Sequence, residues 1–220
     1  MNTIGNNLER ARYRIAAAAR AAGRDAGSVT LTAVSKGKTK EDVLAAIGAG
    51  QKIFGENRVQ EAAAKFAGLR ARHPDLELHL IGPLQTNKAD DAVALFDVIE
   101  TLDRPKLAEA LARAAKKTGR SPVCYIEVNI GGEPQKAGIA PFEIGRFLSY
   151  CREGCGLTVT GLMCIPPQQG DPAFYFVEMK KLLLQYKLPH LSMGMSADYE
   201  TAIRCGATCV RVGTAIFGAR

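Results

Sequence analysis

The chain has 220 residues, of which 47% are hydrophobic and 23% charged, a composition typical of a globular protein with a sizeable core. It contains no run of 18 apolar residues, and its first ten residues lack the order of a signal peptide, so we expect a cytoplasmic protein without membrane contact. The formal charge of +7 is spread along the chain without a basic, aromatic-interleaved run, which argues against a nucleic-acid partner.

The cysteines and histidines form no pattern typical of a metal site. Two pairs of the six cysteines are spaced i, i+4, but neither has a CxxC core, and the three histidines are widely dispersed. We therefore expect free thiols and no bound metal.

Strand-like and helix-like segments alternate along the whole chain. A helix is predicted over residues 4–26, ending at Gly27, followed by eight short strands. The strands are predicted at 31–35, 52–55, 78–81, 98–101, 123–129, 158–164, 190–193 and 209–212, with a helical pattern between each successive pair. Strict alternation predicts parallel strands, and eight of them predict an α/β fold consisting of a single (β/α)₈ TIM barrel with an extra N-terminal helix. No linker interrupts the pattern, so we expect one domain over 1–220, with 1–27 packed on the barrel.

Chemistry in a barrel is expected at the C-terminal ends of the strands, with a phosphate site after strands 7 and 8. Lys36 follows the first strand, Gly194 and Ser196 follow the seventh, and Gly213 and Thr214 follow the eighth. Ser196 is expected to donate its hydroxyl and to start a helix. Each feature alone has an ordinary explanation, a solvated lysine or a tight turn. Together they predict a pocket for a phosphorylated aldehyde bound by a lysine Schiff base.

Arg211 is the charged residue of the eighth strand. Alternation places it on the same face as Cys209 and opposite Val210 and Val212. If that face lines the inside of the barrel, the Arg211 guanidinium lies in the pocket. The alternative is that Arg211 forms a structural ion pair.

Several motifs, which span nearly the whole chain in order, resemble those of one known family. They are Ala33-Val-Ser-Lys36, Phe54-Gly-Glu-Asn57 with Val59-Gln-Glu61, His79-Leu-Ile-Gly-Pro-Leu-Gln85 with Asn87-Lys88, Val128-Asn129, Gly161-Leu-Met163 with Ile165-Pro-Pro167, Leu191-Ser-Met-Gly-Met-Ser196 and Arg211-Val-Gly-Thr-Ala-Ile-Phe-Gly218. The set resembles the pyridoxal 5′-phosphate (PLP) homeostasis protein family, PLP-binding barrels of fold type III related to the N-terminal barrel of alanine racemase.

The resemblance implies the cofactor and the residues that contact it. Lys36 would carry PLP as an internal aldimine, Asn57 would lie beside the cofactor and Arg211 would approach the pyridine nitrogen. Ser196, Gly213 and Thr214 would contact the phosphate, and Met195 would line the site.

Three positions depart from the family pattern. Gly37 and Glu41 stand where the lysine loop usually has Thr and Pro, and Arg58 replaces a common Tyr. These departures affect the loop and the pocket mouth, not the residues assigned to the aldimine or the phosphate.

A fold type III racemase takes a second acid/base from a further β-domain of a partner subunit. The sequence leaves no residues for such a domain after the eighth strand, so we expect a monomeric PLP buffer or carrier with no catalytic residues and no turnover, serving PLP-dependent apoenzymes. Two alternatives stay open: a small amino-acid racemase or deaminase, and a metal-free Schiff-base aldolase acting on a phosphorylated sugar.

Overall fold

Eight parallel strands close into a barrel in the computed structural model, which describes residues 3–219. Each strand pairs with the next in the chain, and the eighth pairs with the first. The strands are β1 Thr30–Val34, β2 Ile53–Glu56, β3 Glu77–Leu80, β4 Val98–Leu102, β5 Val123–Glu127, β6 Val159–Met163, β7 His190–Ser192 and β8 Cys209–Val212. The (β/α)₈ barrel predicted from the sequence is confirmed.

Helical segments follow every strand and cover the barrel. The α-helices are α1 Thr3–Ala21, α2 Lys40–Gly48, α3 Val59–Phe66, α4 Leu69–Arg72, α5 Ala89–Leu95, α6 Pro105–Thr118, α7 Ile144–Ser149, α8 Pro172–Gln185, α9 Tyr199–Arg204 and α10 Thr214–Phe217. Short 3₁₀ turns precede α5 and α7, and a π-helical turn over Tyr150–Gly154 follows α7. Within residues 3–219, none of these helices is both long and apolar enough to cross a membrane.

The extra N-terminal helix is present as predicted, but it ends earlier than predicted. Its buried face repeats at helical spacing through Leu8, Ala11 and Ile15 and packs against α9 and α10. It stops at Ala21 because Gly23 adopts φ +68°, the left-handed conformation that ends helices. The Arg24 N–H then donates back to Ala19 O at 2.9 Å.

Two further helix boundaries show how local residues set the fold. Thr39 caps α2: the Thr39 hydroxyl accepts the Asp42 N–H, and the Asp42 carboxylate accepts the Thr39 N–H. The single helix predicted after β2 is instead divided into α3 and α4 by Gly68, which has φ +70°. The buried residues of α3 include Ala62 and Lys65.

Candidate functional site at the C-terminal end of the barrel

The seven predicted site residues lie at or near the C-terminal ends of four neighbouring strands, β7, β8, β1 and β2. Lys36 follows β1 and is half-buried, Asn57 follows β2, Met195 and Ser196 follow β7, Arg211 lies within β8, and Gly213 and Thr214 follow β8. Because β1 pairs with β8, with Ala33 opposite Val212, the loop of Lys36 lies beside the loop of Gly213.

The loops after β7 and β8 meet through one hydroxyl. Ser196 Oγ accepts hydrogen bonds from the Gly213 N–H at 3.2 Å and from the Ala215 N–H at 3.4 Å. A Cβ on Gly213 would lie 3.3 Å from Val34 Cβ, so this turn is pressed against the end of β1. We call Ser196, Gly213 and Ala215 the N–H cradle.

Ser196 does not start a helix as expected. The following helix, α9, begins at Tyr199, because the Asp198 carboxylate accepts the Met195 N–H at 2.7 Å and forms a turn first. Ser196 is thereby free to face Gly213. Gly194 has φ +90°, and a Cβ there would lie 2.5 Å from Ala202 Cβ, so no larger residue fits this turn.

Asn57 presents an unsatisfied acceptor. A Cβ on Gly82 would lie 2.5 Å from the Asn57 carbonyl oxygen, so the two chain segments touch along their backbones. The Asn57 Oδ1 atom is buried and has no hydrogen-bond partner among residues 3–219. Because an unpaired buried polar atom costs free energy, it is suited to a ligand that supplies a donor.

An open cavity of about 620 Å³ adjoins Asn57. Arg58, Lys88 and Arg104 line it, so its charge is positive, and Arg104 is held by the Leu84 carbonyl at 2.8 Å. Of the predicted site residues, Asn57 lines this cavity. Arg58, which departs from the family pattern, lines the same cavity.

A buried ionic cluster that was not predicted from the sequence contacts the backbone on either side of Lys36. It consists of Ser35, Glu56, Glu61 and Lys65, and we call it the lysine-loop cluster. The Lys65 ammonium donates to Ser35 O at 2.6 Å, to Glu56 Oε1 at 2.7 Å and to Glu61 Oε1 at 2.9 Å. The Ser35 hydroxyl also donates to Glu56 Oε1, at 2.7 Å. The spacing of Glu61 and Lys65, four residues apart on a helix, was the available signal.

The two carboxylates of this cluster differ in acidity. Burial raises the pKa of Glu56, although Lys65 and Ser35 act in the opposite direction. Partial burial would also raise the pKa of Glu61, but the Gly37 N–H and Lys65 outweigh it and lower that pKa. One ammonium is thus shared by two acids.

A second network runs along the barrel interior and holds Arg211. It consists of Glu77, His79, Glu100, Ser192 and Arg211, and we call it the axial chain. His79 Nε2 lies 2.8 Å from Glu77 Oε1, and His79 Nδ1 lies 2.6 Å from Glu100 Oε1. Ser192 donates to Glu100 Oε2 at 2.5 Å and accepts from Arg211 Nη1 at 2.6 Å.

Arg211 faces the barrel interior, as alternation predicts, and it is also ion-paired. Its Nη1 atom lies 3.7 Å from Glu100 Oε2, and Nη2 donates to Cys164 O at 2.9 Å. The guanidinium has five N–H donors, so these contacts leave others for a ligand.

At the centre of the axial chain, the opposite charges of His79 and Glu100 stabilise the ionised form of each. Burial alone would lower the pKa of His79, but Glu100 and Glu77 raise it to about 9. Burial alone would raise the pKa of Glu100, but His79, Arg211 and Ser192 lower it. His79 is therefore an imidazolium at neutral pH and donates from both ring nitrogens.

The sequence did not anticipate that His79, Glu100 and Cys209 would meet. Their potential ligand atoms lie within 4.8 Å of one another. Both nitrogens of His79 are occupied by carboxylates, and Cys209 Sγ lies 3.3 Å from Thr32 Oγ1, so the geometry is that of a hydrogen-bond network. All six cysteines are free thiols, as expected.

Glu127, the last residue of β5, is a further carboxyl group at this end of the barrel. Burial and the nearby Asp103 raise its pKa to about 7, against the opposing charge of Arg211. It therefore titrates near neutral pH.

The closed barrel, with glycines after its seventh and eighth strands, is the architecture of one class of proteins, the barrels of the alanine racemase N-terminal type. The family model described as "Alanine racemase, N-terminal domain" matches residues 7–220. An alanine racemase from Clostridium difficile superposes with a TM-score of 0.68 at 13% identity, covering 88% of this chain and 53% of that one, which shows a shared fold.

Within that class, the chain belongs to the pyridoxal phosphate homeostasis protein family. It is 42% identical over 229 residues to the pyridoxal phosphate homeostasis protein of Pseudomonas aeruginosa, covering all of this chain and 97% of the relative. PipY of Synechococcus elongatus, solved with PLP bound, superposes with a TM-score of 0.82 at 37% identity, covering 98% of this chain and all of that one.

Proposed function

We propose that this chain is a single-domain, monomeric, cytoplasmic protein that binds PLP through Lys36 and buffers or carries it for PLP-dependent apoenzymes, without turnover. Its support comes from the family, from a relative solved with PLP bound, and from one observation in this molecule. That observation is the contact of the N–H cradle with the end of β1, which brings the loop proposed to bind phosphate next to the half-buried Lys36.

The residues fit the cofactor in three respects. The Ser196 hydroxyl, whose oxygen accepts two N–H groups and whose proton is left to donate, and the Thr214 hydroxyl supply neutral donors for a phosphate, Asn57 Oδ1 supplies a buried acceptor, and Arg211 has N–H donors to spare. Met195, which is 40% exposed, would line the solvent-facing side of the PLP site.

PLP supplies an aldehyde that a lysine can capture. Lys36 would supply the amine that condenses with this aldehyde, with release of one water molecule. Lys36 provides the nucleophile, while Ser196, Gly213 and Thr214 hold the phosphate at a fixed distance from it.

The proposed place of Arg211 agrees with a carrier better than with a transaminase. A guanidinium stays protonated, so beside the pyridine nitrogen it would keep that nitrogen unprotonated. An unprotonated pyridine withdraws electrons weakly, so carbanion chemistry is suppressed while exchange of the Schiff base continues. The axial chain, through Ser192 and Glu100, would fix the guanidinium in this position.

An absorbance spectrum with and without borohydride tests the proposal. We expect purified protein mixed with PLP to show an imine band that borohydride abolishes, and we expect an amino acid incubated with it to keep its optical rotation. Absence of the band would contradict the binding, and loss of optical rotation would contradict the absence of turnover.

A further inference from the structure

Lys65 is the most deeply buried lysine of the candidate site, and its three N–H donors are all used. Its side chain is 6% exposed, and that of its partner Glu56 is 0% exposed. Its three acceptors are a backbone carbonyl and two carboxylates, as given above for the lysine-loop cluster. A protonated amine has three donors, so Lys65 has none left for a ligand.

The contacts of Lys65 lead to both neighbours of Lys36. On one side Lys65 holds the Ser35 carbonyl directly, at 2.6 Å. On the other side it holds Glu61, whose Oε1 atom accepts the Gly37 N–H at 2.6 Å. The peptide units before and after Lys36 are thus tied to one cation.

The backbone of Gly37 fits this arrangement. It has φ +69°, a conformation open to glycine at little cost and strained for a β-branched residue such as threonine. Glycine at this position therefore lets the chain turn sharply after Lys36 while its N–H reaches Glu61. The departure of Gly37 from the family pattern thus has a structural reason.

Stability alone does not require an ionic cluster at this place. Well-packed apolar residues are often as stabilising as a buried ion pair, whereas hydrogen bonds from a cation to defined acceptors fix geometry more narrowly. The acceptors here are the two segments that flank the proposed nucleophile.

We propose that Lys65 is a positioning residue that holds the loop of Lys36 so that the Lys36 amine faces the N–H cradle. The inference rests on the proposed function of Lys36. Lys65 makes no contact with the cofactor in this scheme; it acts through Ser35, Glu61 and Gly37. Since misplacement of a reacting group by about 1 Å can cost about 100-fold in rate, loss of Lys65 should slow attachment of PLP by about 10- to 100-fold.

The experiment separates attachment from binding. Lys65→Met is compared with Lys117→Met, which removes an exposed lysine that pairs with Asp90 and belongs neither to the lysine-loop cluster nor to the N–H cradle. The rate of attachment is measured by quenching PLP mixtures with borohydride and quantifying the Lys36 peptide. Binding without attachment is measured by calorimetry with pyridoxine 5′-phosphate, which lacks the aldehyde.

We expect folded Lys65→Met to attach PLP at least about tenfold more slowly while binding pyridoxine 5′-phosphate within about threefold of the wild type. Lys117→Met should match the wild type in both. If Lys65→Met does not fold, Glu61→Ala releases the Gly37 side alone, since Glu61 is partly exposed. Glu61→Gln keeps an acceptor oxygen for the Gly37 N–H and should restore the attachment rate.

Two results would overturn the inference. One is an unchanged attachment rate in Lys65→Met, or in Glu61→Ala if that variant is used. The other is a parallel loss of attachment and of pyridoxine 5′-phosphate binding in a folded variant, which would mean that the cluster shapes the whole site. Absence of a Lys36 adduct in the wild type would overturn the proposed function itself, and it is seen before any variant is made.

Discussion

The two ionic networks of the barrel differ in how their carboxylates are balanced. In the lysine-loop cluster, Glu56 and Glu61 share the single ammonium of Lys65. In the axial chain, Glu100 faces two cations, His79 and Arg211. Accordingly the pKa of Glu56 is raised by burial, whereas the pKa of Glu100 is lowered by its partners despite burial.

The difference shows two ways of using buried charge in one barrel. The lysine-loop cluster holds backbone groups, a carbonyl and an N–H, on either side of Lys36. The axial chain holds a side chain, the guanidinium of Arg211, through a hydroxyl and a carboxylate. The lysine-loop cluster can lose one carboxylate and still pair the positive charge of Lys65. The axial chain cannot lose Glu100 without leaving an excess of positive charge.

The largest expected effect is therefore on Glu100. Glu100→Gln leaves His79 and Arg211 without their shared counter-charge, and we expect a loss of about 3–5 kcal/mol in the free energy of unfolding. The matched variant Glu56→Gln should cost no more than about 1–2 kcal/mol, because Glu61 still balances Lys65. Denaturant unfolding of both measures the contrast, and equal losses would refute the comparison.

The axial chain should also make stability depend on pH. The pKa of His79 rises from 6.5 in the unfolded chain to about 9 in the folded one, so its stabilisation is present below pH 6.5 and is lost as the pH rises through about 9. We expect a decline of a few kcal/mol over that window. His79→Gln should flatten the decline, and an equally steep curve in a folded variant would assign it to other groups.

Neither network includes a residue proposed to contact the phosphate, so the proposed phosphate site can be tested separately. Thr214→Ala removes one hydrogen bond to a charged group, which is expected to cost about 1.5–3 kcal/mol, or roughly ten- to hundredfold in PLP affinity. Titration with PLP measures it. Unchanged affinity would show that the phosphate binds elsewhere.

The smallest effect is expected at Glu127, outside both networks. Its pKa is raised from 4.5 to about 7, so its ionisation above pH 7 works against the folded state. Because Glu127 is half-buried and water screens its charge, Glu127→Gln should gain only on the order of 1 kcal/mol over the wild type above pH 7, and nothing below pH 4.5. A gain of equal size at both pH values would point to packing rather than charge.

The order of elements could be predicted because each strand and helix has its own local pattern. Thr39, followed by Asp42 at the third helical position, fixed the start of α2 from neighbouring residues alone. The helix ends at Gly23 and Gly68 were missed because glycine adopts a left-handed conformation only at some of its positions, and the sequence does not say which.

The two networks could not be predicted because they depend on register between distant strands. Glu100 and Ser192 are 92 residues apart in the chain, yet they form one hydrogen bond inside the barrel. Charged residues in the middle of buried strands, His79 and Glu100, were the signal that a buried network exists. Lys65 was not identified because only apolar residues were considered in predicting the buried face of α3.

The identity of the lysine that holds PLP tests the central claim most directly. Protein loaded with PLP is reduced with borohydride, digested and mapped. We expect the pyridoxyl group on Lys36 and none on Lys38, whose ammonium is held by the carbonyls of Phe217 and Ala219. A pyridoxyl group found mainly on another lysine, or equal labelling of the Lys36→Met variant, would contradict the account.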